Sequence, residues 1–376
     1  MTTRGHGGKS APDNKNRTTA AAAAGLLLAA LLLPPPDSLA KVSGACANCH
    51  TMHNSEAGGS MLRAGAGSNP LPSLLRNTCL GCHTGTNDGT FDGSWSHVPR
   101  VLTTSEPEYG STGTETTPAT TTLAGGNFFW TMVDEYTGHN VAGIVATSRI
   151  APGGTTTGPL NCAGTSGCHG NAAVADPYLS LSGSHHSNDM SAWKDGSSVA
   201  KSYRFLNGVQ GFEAPNYEYQ PTKNAHNKYY GIHRASENDS GGTISSLCGR
   251  CHGDFHHGAG RIANTSAPLA FGDGVWLRHP TDFDMKQATT SSEYTTYNGG
   301  SGIGNDYSVI APVATESTSA AVNATVYSSG NDAVLMCLSC HRAHGTKFTY
   351  SLRWNYRQWP AAGGYNGCAL CHTSKN

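Results

Sequence analysis

All 12 cysteines of this 376-residue chain fall into six pairs, and a histidine directly follows the second cysteine of each pair. Five pairs have the spacing Cys-x-x-Cys-His, whereas the third, CAGTSGCH, has five residues between its cysteines. The paired cysteines are Cys46, Cys49, Cys79, Cys82, Cys162, Cys168, Cys248, Cys251, Cys337, Cys340, Cys368 and Cys371. The histidines that follow them are His50, His83, His169, His252, His341 and His372.

This spacing is the sequence form of covalent haem attachment, in which two thiolates add to the vinyl groups and the adjacent histidine binds the iron. Zinc ribbons and redox dithiols also use Cys-x-x-Cys, but they do not repeat it with an obligatory histidine. The pattern therefore predicts six covalently attached haem c groups. At the third pair, Cys162 and Cys168, a disulfide closing a Gly/Ser/Thr loop stays the alternative because the spacing is wider.

The first 40 residues have the pattern of a secretory signal peptide. A basic n-region precedes the apolar run TTAAAAAGLLLAALLL, and small residues at Ser38 and Ala40 fit a signal peptidase site. We predict a signal peptide at residues 1–40 and export of the mature chain, residues 41–376. A membrane anchor is the alternative, since the apolar run is long.

The mature chain is too poor in Leu, Ile and Val for an ordinary core of packed helices or sheets. Its long Thr/Ser/Gly/Asn-rich stretches, such as residues 103–122 and 287–329, have no clear periodicity. We predict one domain at 41–376 in which the haems form the core, mostly irregular coil with a few short helices and minor β-hairpins. The formal net charge of −1 gives no sign of a nucleic-acid partner.

The remaining histidines are numerous enough to supply a second axial ligand to every iron. Of 18 histidines, six follow the cysteine pairs and His6 lies in the leader, which leaves 11. His53, His256 and His344 come just after a haem motif, on the same side of that haem, so each would reach a neighbouring iron. His97, His139 and His279 lie in Gly- and Pro-punctuated loops that could cross a distal face.

These six are the favoured distal ligands, and the others are candidates whose role stays open: His185, His186, His226, His233 and His257. Iron with both axial positions filled by protein has no place for nitrite, peroxide or oxygen. The sequence therefore predicts an electron-transfer protein rather than an enzyme.

Several words of the sequence resemble the extracellular hexahaem cytochromes of metal-reducing bacteria that polymerise into filaments. They are CANCHTMHNS, GHNVAG, SYRFL, CGRCHGDFH, LRHP, CLSCHRAH, SLRWNY and CALCH, and they cover the mature chain in the family's order. The family is that of the outer-surface cytochrome nanowires, of the outer-membrane cytochrome S type. Two departures are the wide third pair and a histidine-free region at residues 300–332, so one of the open candidates could replace a missing ligand.

The resemblance implies that His53 binds a haem of the next subunit, the one at Cys337 and Cys340, so that a coordination bond is also the head-to-tail contact. It implies haems stacked in alternating parallel and perpendicular pairs, and electron transfer outside the cell to metal oxides, electrodes or other cytochromes. Two other hypotheses are a monomeric periplasmic electron carrier and a multihaem oxidoreductase with one open iron.

Overall fold

The fold is known from a computed structural model whose described residues fall in many short ranges. These are residues 1–5, 7–8, 44–56, 59–60, 71–88, 98–107, 122–147, 149–154, 158, 160–187, 192–234, 241–256, 279–287, 297, 305–328, 330–356 and 367–372. Two compact units make up the chain, Met1–Leu39 and Ala40–Asn376, and the fold below is that of the second. Among the helices in these ranges, none has the length and apolar character needed to cross a membrane.

Short helices begin at or near several of the cysteine pairs. The described ranges contain five α-helices: α1 (Cys79–His83), α2 (Phe129–Val133), α3 (Ile244–Gly249), α4 (Gly253–His256) and α5 (Cys337–Cys340). In α1 and α5 the two cysteines are three residues apart, which places both sulfurs on one helix face. The hydroxyl of Thr78 caps α1 by accepting a hydrogen bond from the Gly81 amide, and Thr243 caps α3 through the Ser246 amide.

The strands are two or three residues long and form four two-stranded sheets within the described ranges. The pairs are β1 (Ser55–Glu56) with β2 (Gly59–Ser60), β3 (Asn161–Ala163) with β4 (Gly167–His169), β5 (Gly211–Phe212) with β6 (Lys228–Tyr229), and β7 (Phe283–Asp284) with β8 (Val334–Leu335). Only β3–β4 is parallel among these pairs.

Single 3₁₀ turns complete the regular structure. They lie at Cys46–Asn48, Glu135–Thr137, Leu179–Leu181, Tyr203–Phe205, Met285–Gln287, Thr349–Ser351 and Gly367–Leu370. The prediction of a mostly irregular chain with few short helices and minor sheets is therefore confirmed.

Among the described residues, the apolar core consists of three small clusters. The largest consists of Tyr203, Leu206, Val209, Tyr229, Ile244, Ala314, Val334, Met336 and Leu338. The second consists of Met285, Tyr297, Tyr307, Val313, Val326 and Ala333, and the third of Leu102, Phe128 and Val141. Such small clusters agree with the low aliphatic content of the chain, and they leave much of the interior to the segments that carry cysteine and histidine.

Glycines bring the segment before α2 and the segment after α2 against the chain around His344. The Asn127 amide donates to the Gly345 carbonyl at 2.9 Å, and the His139 amide donates to the His344 carbonyl at 3.3 Å. At Gly138 an added Cβ would overlap Thr131 Oγ1 and the His344 carbonyl oxygen. The close backbone contact, and with it the placement of His139 and His344, depends on the missing side chain at this position.

We expect Gly138→Ala to lower the free energy of unfolding by about 3 kcal/mol, because the new methyl group overlaps backbone and side-chain atoms that are fixed. Guanidinium unfolding followed by far-UV circular dichroism measures the change. Gly253→Ala is the matched control, since an added Cβ there meets nothing within 4 Å. That control lies in α4, where alanine should be neutral or stabilising by up to about 1 kcal/mol. Equal effects at the two glycines would contradict the packing argument.

Candidate haem-binding sites

At the first five sites, one ring nitrogen of the motif histidine donates a hydrogen bond to a backbone carbonyl. The Nδ1–H groups of His50, His83, His169, His252 and His341 donate to the carbonyls of Ser73, Pro99, Arg204, Pro152 and Tyr350, at 2.9, 2.8, 2.8, 2.7 and 2.8 Å. His139 makes the same kind of bond, to the Ala343 carbonyl at 2.6 Å. This bond fixes the tautomer and leaves Nε2 as the acceptor, as in metal-binding histidines generally.

Five of the six motif histidines have a second histidine ring nearby, and we call these five sets of two rings the opposed pairs. The ring-centroid separations are 6.1 Å for His50 and His186, 6.4 Å for His83 and His185, 6.4 Å for His169 and His344, 6.0 Å for His252 and His139, and 6.1 Å for His372 and His279. The separations fall within a narrow range although the two members of a pair come from distant parts of the sequence.

This separation fits one metal ion held between two imidazoles. With each nitrogen about 2.0 Å from the metal and each centroid about 1.1 Å behind its nitrogen, two rings on opposite sides of the ion lie about 6.2 Å apart. The cysteine pair beside each motif histidine supplies the two thiols that haem attachment needs. In the described ranges, no three His, Cys, Asp or Glu side chains converge as they would around a single ion. The donor set therefore fits haem with two axial histidines.

The opposed pairs contain three of the six distal histidines favoured from the sequence: His139, His279 and His344. They also contain His185 and His186, which the sequence left open. The available signal was the adjacency of these two histidines, together with the departure of the third site from the family pattern. His97 and His257 lie outside the described residues.

His256 is held in a buried polar network. Its Nε2 lies 3.0 Å from Asp282 Oδ2, and the same oxygen accepts a hydrogen bond from Thr243 Oγ1 at 2.7 Å. Arg234 Nη1 donates to the His256 carbonyl at 2.7 Å. The ring nitrogen that would bind a metal is therefore engaged with a carboxylate.

Three other candidate ligands, His226, His233 and His53, each have different neighbours. The ring of His226 stacks on Tyr307 with centroids 3.7 Å apart, and its Nδ1 lies 2.6 Å from the Asn227 carbonyl oxygen. His233 Nδ1 accepts a hydrogen bond from the Asp284 amide at 3.1 Å. His53 is exposed. We therefore place these three apart from the opposed pairs.

Burial lowers the pKa of several of the opposed histidines. It lowers the pKa of His344 to about 3, with His169 as the next cause, and it also lowers the pKa of His83, His139 and His169. A neutral imidazole offers its nitrogen lone pair to a metal, whereas a protonated one cannot. The environment of these rings therefore favours the form that binds iron.

Neighbouring cysteine pairs lie close to one another in sequence order. Burial and Cys49 raise the pKa of Cys82, burial and Cys251 raise that of Cys168, and burial and Cys340 raise that of Cys371. The Cys162 thiol donates a hydrogen bond to Cys79 and the Cys248 thiol donates one to Cys337, which raises the pKa of each donor. The cysteines of each motif thus interact with those of the next motif along the chain.

The wide third pair is accommodated by the parallel β3–β4 pairing. Asn161 pairs with Gly167 and Ala163 with His169, so Cys162 and Cys168 occupy equivalent places on adjacent strands. Both thiols are free rather than joined in a disulfide. The loop at residues 164–166 carries the extra length.

His341 differs from the other motif histidines. Its ring is exposed, and across the described ranges no histidine ring faces it. Its Nδ1 bond to Tyr350 nevertheless orients it as in the other sites. Directly after the first motif histidine, a turn closed by a hydrogen bond from the Asn54 amide to Thr51 Oγ1 at 2.8 Å buries both of its ends and exposes the two residues between, Met52 and His53.

Comparison with known proteins gives both sequence and structural matches. A family model for a doubled CXXCH motif matches residues 331–376. The chain is 30% identical over 372 residues to the C-type cytochrome OmcS of Geobacter sulfurreducens. The aligned region covers 82% of this chain and 78% of that protein. Two structures of that organism's protein, an Outer Membrane Cytochrome S filament and the OmcS nanowires, match 84% of this chain and 85% of theirs, with 19% and 20% identity and a TM-score of 0.45.

The cysteine pairs with their oriented histidines define a c-type cytochrome, with covalently attached haem c as its cofactor. By its sequence identity, the chain belongs to the OmcS family of these cytochromes.

We expect His256→Ala to lower the free energy of unfolding by about 2 kcal/mol, because it removes a buried hydrogen bond to the Asp282 carboxylate. The absorption spectrum of the iron should stay fully low-spin. Phe255→Ala is the matched control on α4, since that ring is 43% exposed and its loss should cost less than about 1 kcal/mol. A new high-spin signal at unchanged stability would instead make His256 an iron ligand.

Proposed function

We propose that this chain is a secreted hexahaem cytochrome that polymerises head to tail and carries electrons over long distances outside the cell. The observation that carries this proposal is the set of five opposed histidine pairs with centroids 6.0 to 6.4 Å apart. Haem iron, when bound, supplies reversible one-electron chemistry. The protein's own part is to fix the ligands, hold the sites in a row and exclude other molecules from the iron.

The proposed axial ligands follow from the pairs. They are His50 with His186, His83 with His185, His169 with His344, His252 with His139, and His372 with His279. His341 takes its partner from another copy of the chain. With His53 as the ligand from the other copy, this set keeps four of the six distal histidines favoured from the sequence. The adjacent residues His185 and His186 replace the other two, His97 and His256.

The adjacent pair His185–His186 would connect the first two sites directly. His186 faces His50 and His185 faces His83, so one dipeptide reaches both sites. Because the peptide bond between them is rigid, this arrangement restricts the distance between the two irons. The contacts between successive cysteine pairs extend the same restriction along the chain, and a short, fixed separation is what transfer from one site to the next requires.

Two histidines per iron also explain why the proposed role is transport rather than catalysis. With both axial positions filled by imidazole, a small molecule has no coordination position. The protein then exchanges only electrons with its partners, which we propose are extracellular acceptors such as metal oxides, and other cytochromes. The predicted signal peptide at residues 1–40 would supply the export that this role needs.

The polymer contact is supported by two exposed groups at separate places. His341 has its Nδ1 anchored and no facing histidine in the described ranges, and His53 projects from the turn between Thr51 and Asn54. Met52 beside it is 81% exposed. The relative in Geobacter sulfurreducens has been solved as a filament, and membership of its family by sequence supports the same assembly here.

His341 also carries the alternative functions. A monomeric periplasmic carrier would have the same haems and no shared ligand, so His53 would bind an iron of its own chain. A multihaem oxidoreductase would keep one iron open for a substrate, and a high-spin signal in the purified protein would distinguish it from the filament.

We expect His185→Ala and His186→Ala each to convert about one-sixth of the iron to a high-spin or water-bound form, because each removes one axial ligand. Absorption and electron paramagnetic resonance spectra measure the conversion. Mass spectrometry should still find six haems, since the thioether bonds do not depend on the distal ligand. His226→Ala is the control and should leave the spectra unchanged. Fully low-spin iron in both variants would contradict the ligand assignment.

We expect His53→Ala to abolish filaments and to leave six covalent haems in place. Electron microscopy and sedimentation of the purified protein test this. The variant still has its own His341 site, so in mixtures with the unmodified chain it should bind growing ends and shorten the filaments. Free imidazole should also depolymerise the unmodified chain by competing for the fifth iron. Filaments of normal length from His53→Ala would refute the shared ligand.

A further inference from the structure

The first haem site holds its motif histidine by two consecutive carbonyls of one segment. His50 Nδ1–H donates to the Ser73 carbonyl at 2.9 Å, and the next amide along the chain, that of Thr51, donates to the Leu74 carbonyl at 2.8 Å. The imidazole and the backbone that carries it are therefore fixed by two adjacent acceptors.

The third and fifth sites repeat this arrangement with unrelated residues. His169 donates to Arg204 and the Gly170 amide donates to Phe205, both at 2.8 Å. His341 donates to Tyr350 at 2.8 Å, and the Arg342 amide donates to Ser351 at 2.9 Å. We call each pair of acceptor residues a carbonyl clamp: Ser73–Leu74, Arg204–Phe205 and Tyr350–Ser351.

Every clamp contains a non-glycine residue in the left-handed region. The φ angles are 52° for Leu74, 48° for Arg204, 60° for Phe205, 63° for Tyr350 and 57° for Ser351. In an extended strand, successive residues face opposite sides, so two consecutive carbonyls cannot both face one neighbour. A left-handed residue turns them to the same side. The unfavourable conformation therefore has a direct purpose, because it creates the two-point contact.

The clamps share further features. Each clamp is followed by a leucine: Leu75, Leu206 and Leu352. Each leucine forms an isolated β-bridge with the motif histidine or with the residue after it. At the first and fifth sites the next residue is an arginine, and the Arg76 and Arg353 amides donate to the carbonyls of Cys49 and Cys340 at 2.9 and 2.8 Å. At the second and fourth sites the Nδ1 acceptor is instead a prolyl carbonyl, from Pro99 and Pro152.

We propose that the left-handed residues of the three clamps are positioning residues that tune the reduction potentials of the first, third and fifth haems. This inference rests on the proposed ligand roles of His50, His169 and His341. A firmly held Nδ1 proton makes Nε2 more basic, and a more basic ligand stabilises the oxidised iron. Loosening a clamp should therefore raise the potential of that one haem.

The test uses Leu74, whose side chain makes no polar contact with the histidine. Leu74→Val keeps an apolar side chain but adds a β-branched residue that disfavours positive φ, whereas Leu74→Gly and Leu74→Asn permit it. Leu71→Val is the matched control, because Leu71 is not among the residues with positive φ. Redox titration with optical detection, low-spin resonance spectra and the haem mass are measured for all four variants.

We expect Leu74→Val to shift one haem by about a tenfold change in its oxidised-to-reduced ratio, or about 59 mV, towards positive potential. Its low-spin resonance should change as well. Leu74→Gly, Leu74→Asn and Leu71→Val should keep the original potentials. A packing role alone would predict the reverse order, since Gly and Asn remove more side chain than Val does. Equal shifts in the Val and Gly variants, or no shift in either, would overturn the clamp proposal.

A second site protects the test against a variant that does not fold. Tyr350 is 60% exposed, so replacing its side chain removes little packing. Tyr350→Val introduces a β-branched residue that disfavours positive φ, whereas Tyr350→Asn introduces one that tolerates it. The clamp again requires a potential shift in the Val variant alone. Failure of the proposed function would be seen differently, as fewer than six haems or high-spin iron in the unmodified filament. Six low-spin haems with unshifted variants would refute only the clamp.

Discussion

The approach of a second histidine ring to five of the six motif histidines is the interaction on which the rest of this structure depends. The apolar clusters are small and separate, so they do not by themselves explain how so much irregular chain is ordered. Ordering a backbone residue costs about 1–2 kcal/mol, and long loops add closure entropy. Histidine pairs such as His169 with His344 join segments far apart in sequence, and metal coordination by such pairs would supply folding free energy that side-chain burial does not.

Each imidazole is in turn held by the backbone rather than by side chains. The acceptors of the Nδ1 protons are carbonyls of Ser73, Pro99, Pro152, Arg204 and Tyr350, which belong to four residue types. A carbonyl acceptor can be supplied by any residue, so sequence can diverge around the sites while the ligand geometry persists. This explains how a chain only 30% identical to its relative can retain the same class of site.

The sequence predicts the near half of each site well and the far half only in part. The cysteines and the motif histidine are set by local spacing, as in α1 and α5, where a three-residue helical spacing places both sulfurs on one face. The distal histidine depends on which distant loop crosses the site, and local spacing contains no information about that. His256 shows the difference: its position after a haem motif suggested a ligand, but the buried Asp282 carboxylate, 26 residues further on, engages its ring nitrogen.

The fifth site has a further consequence for assembly. In the proposed polymer, each copy offers one donor, His53, and one acceptor site, His341, and the two lie on different parts of the chain. A contact between two different patches is heterologous, so repeating it gives an open filament unless the rotation happens to close a ring. The five sites whose two histidines belong to one chain would form at any protein concentration. The bond from His53 to the iron at His341 of another copy would form only when two copies meet. Assembly is then driven by mass action on a single coordination position, and the same bond that completes the last iron extends the conductor by one subunit.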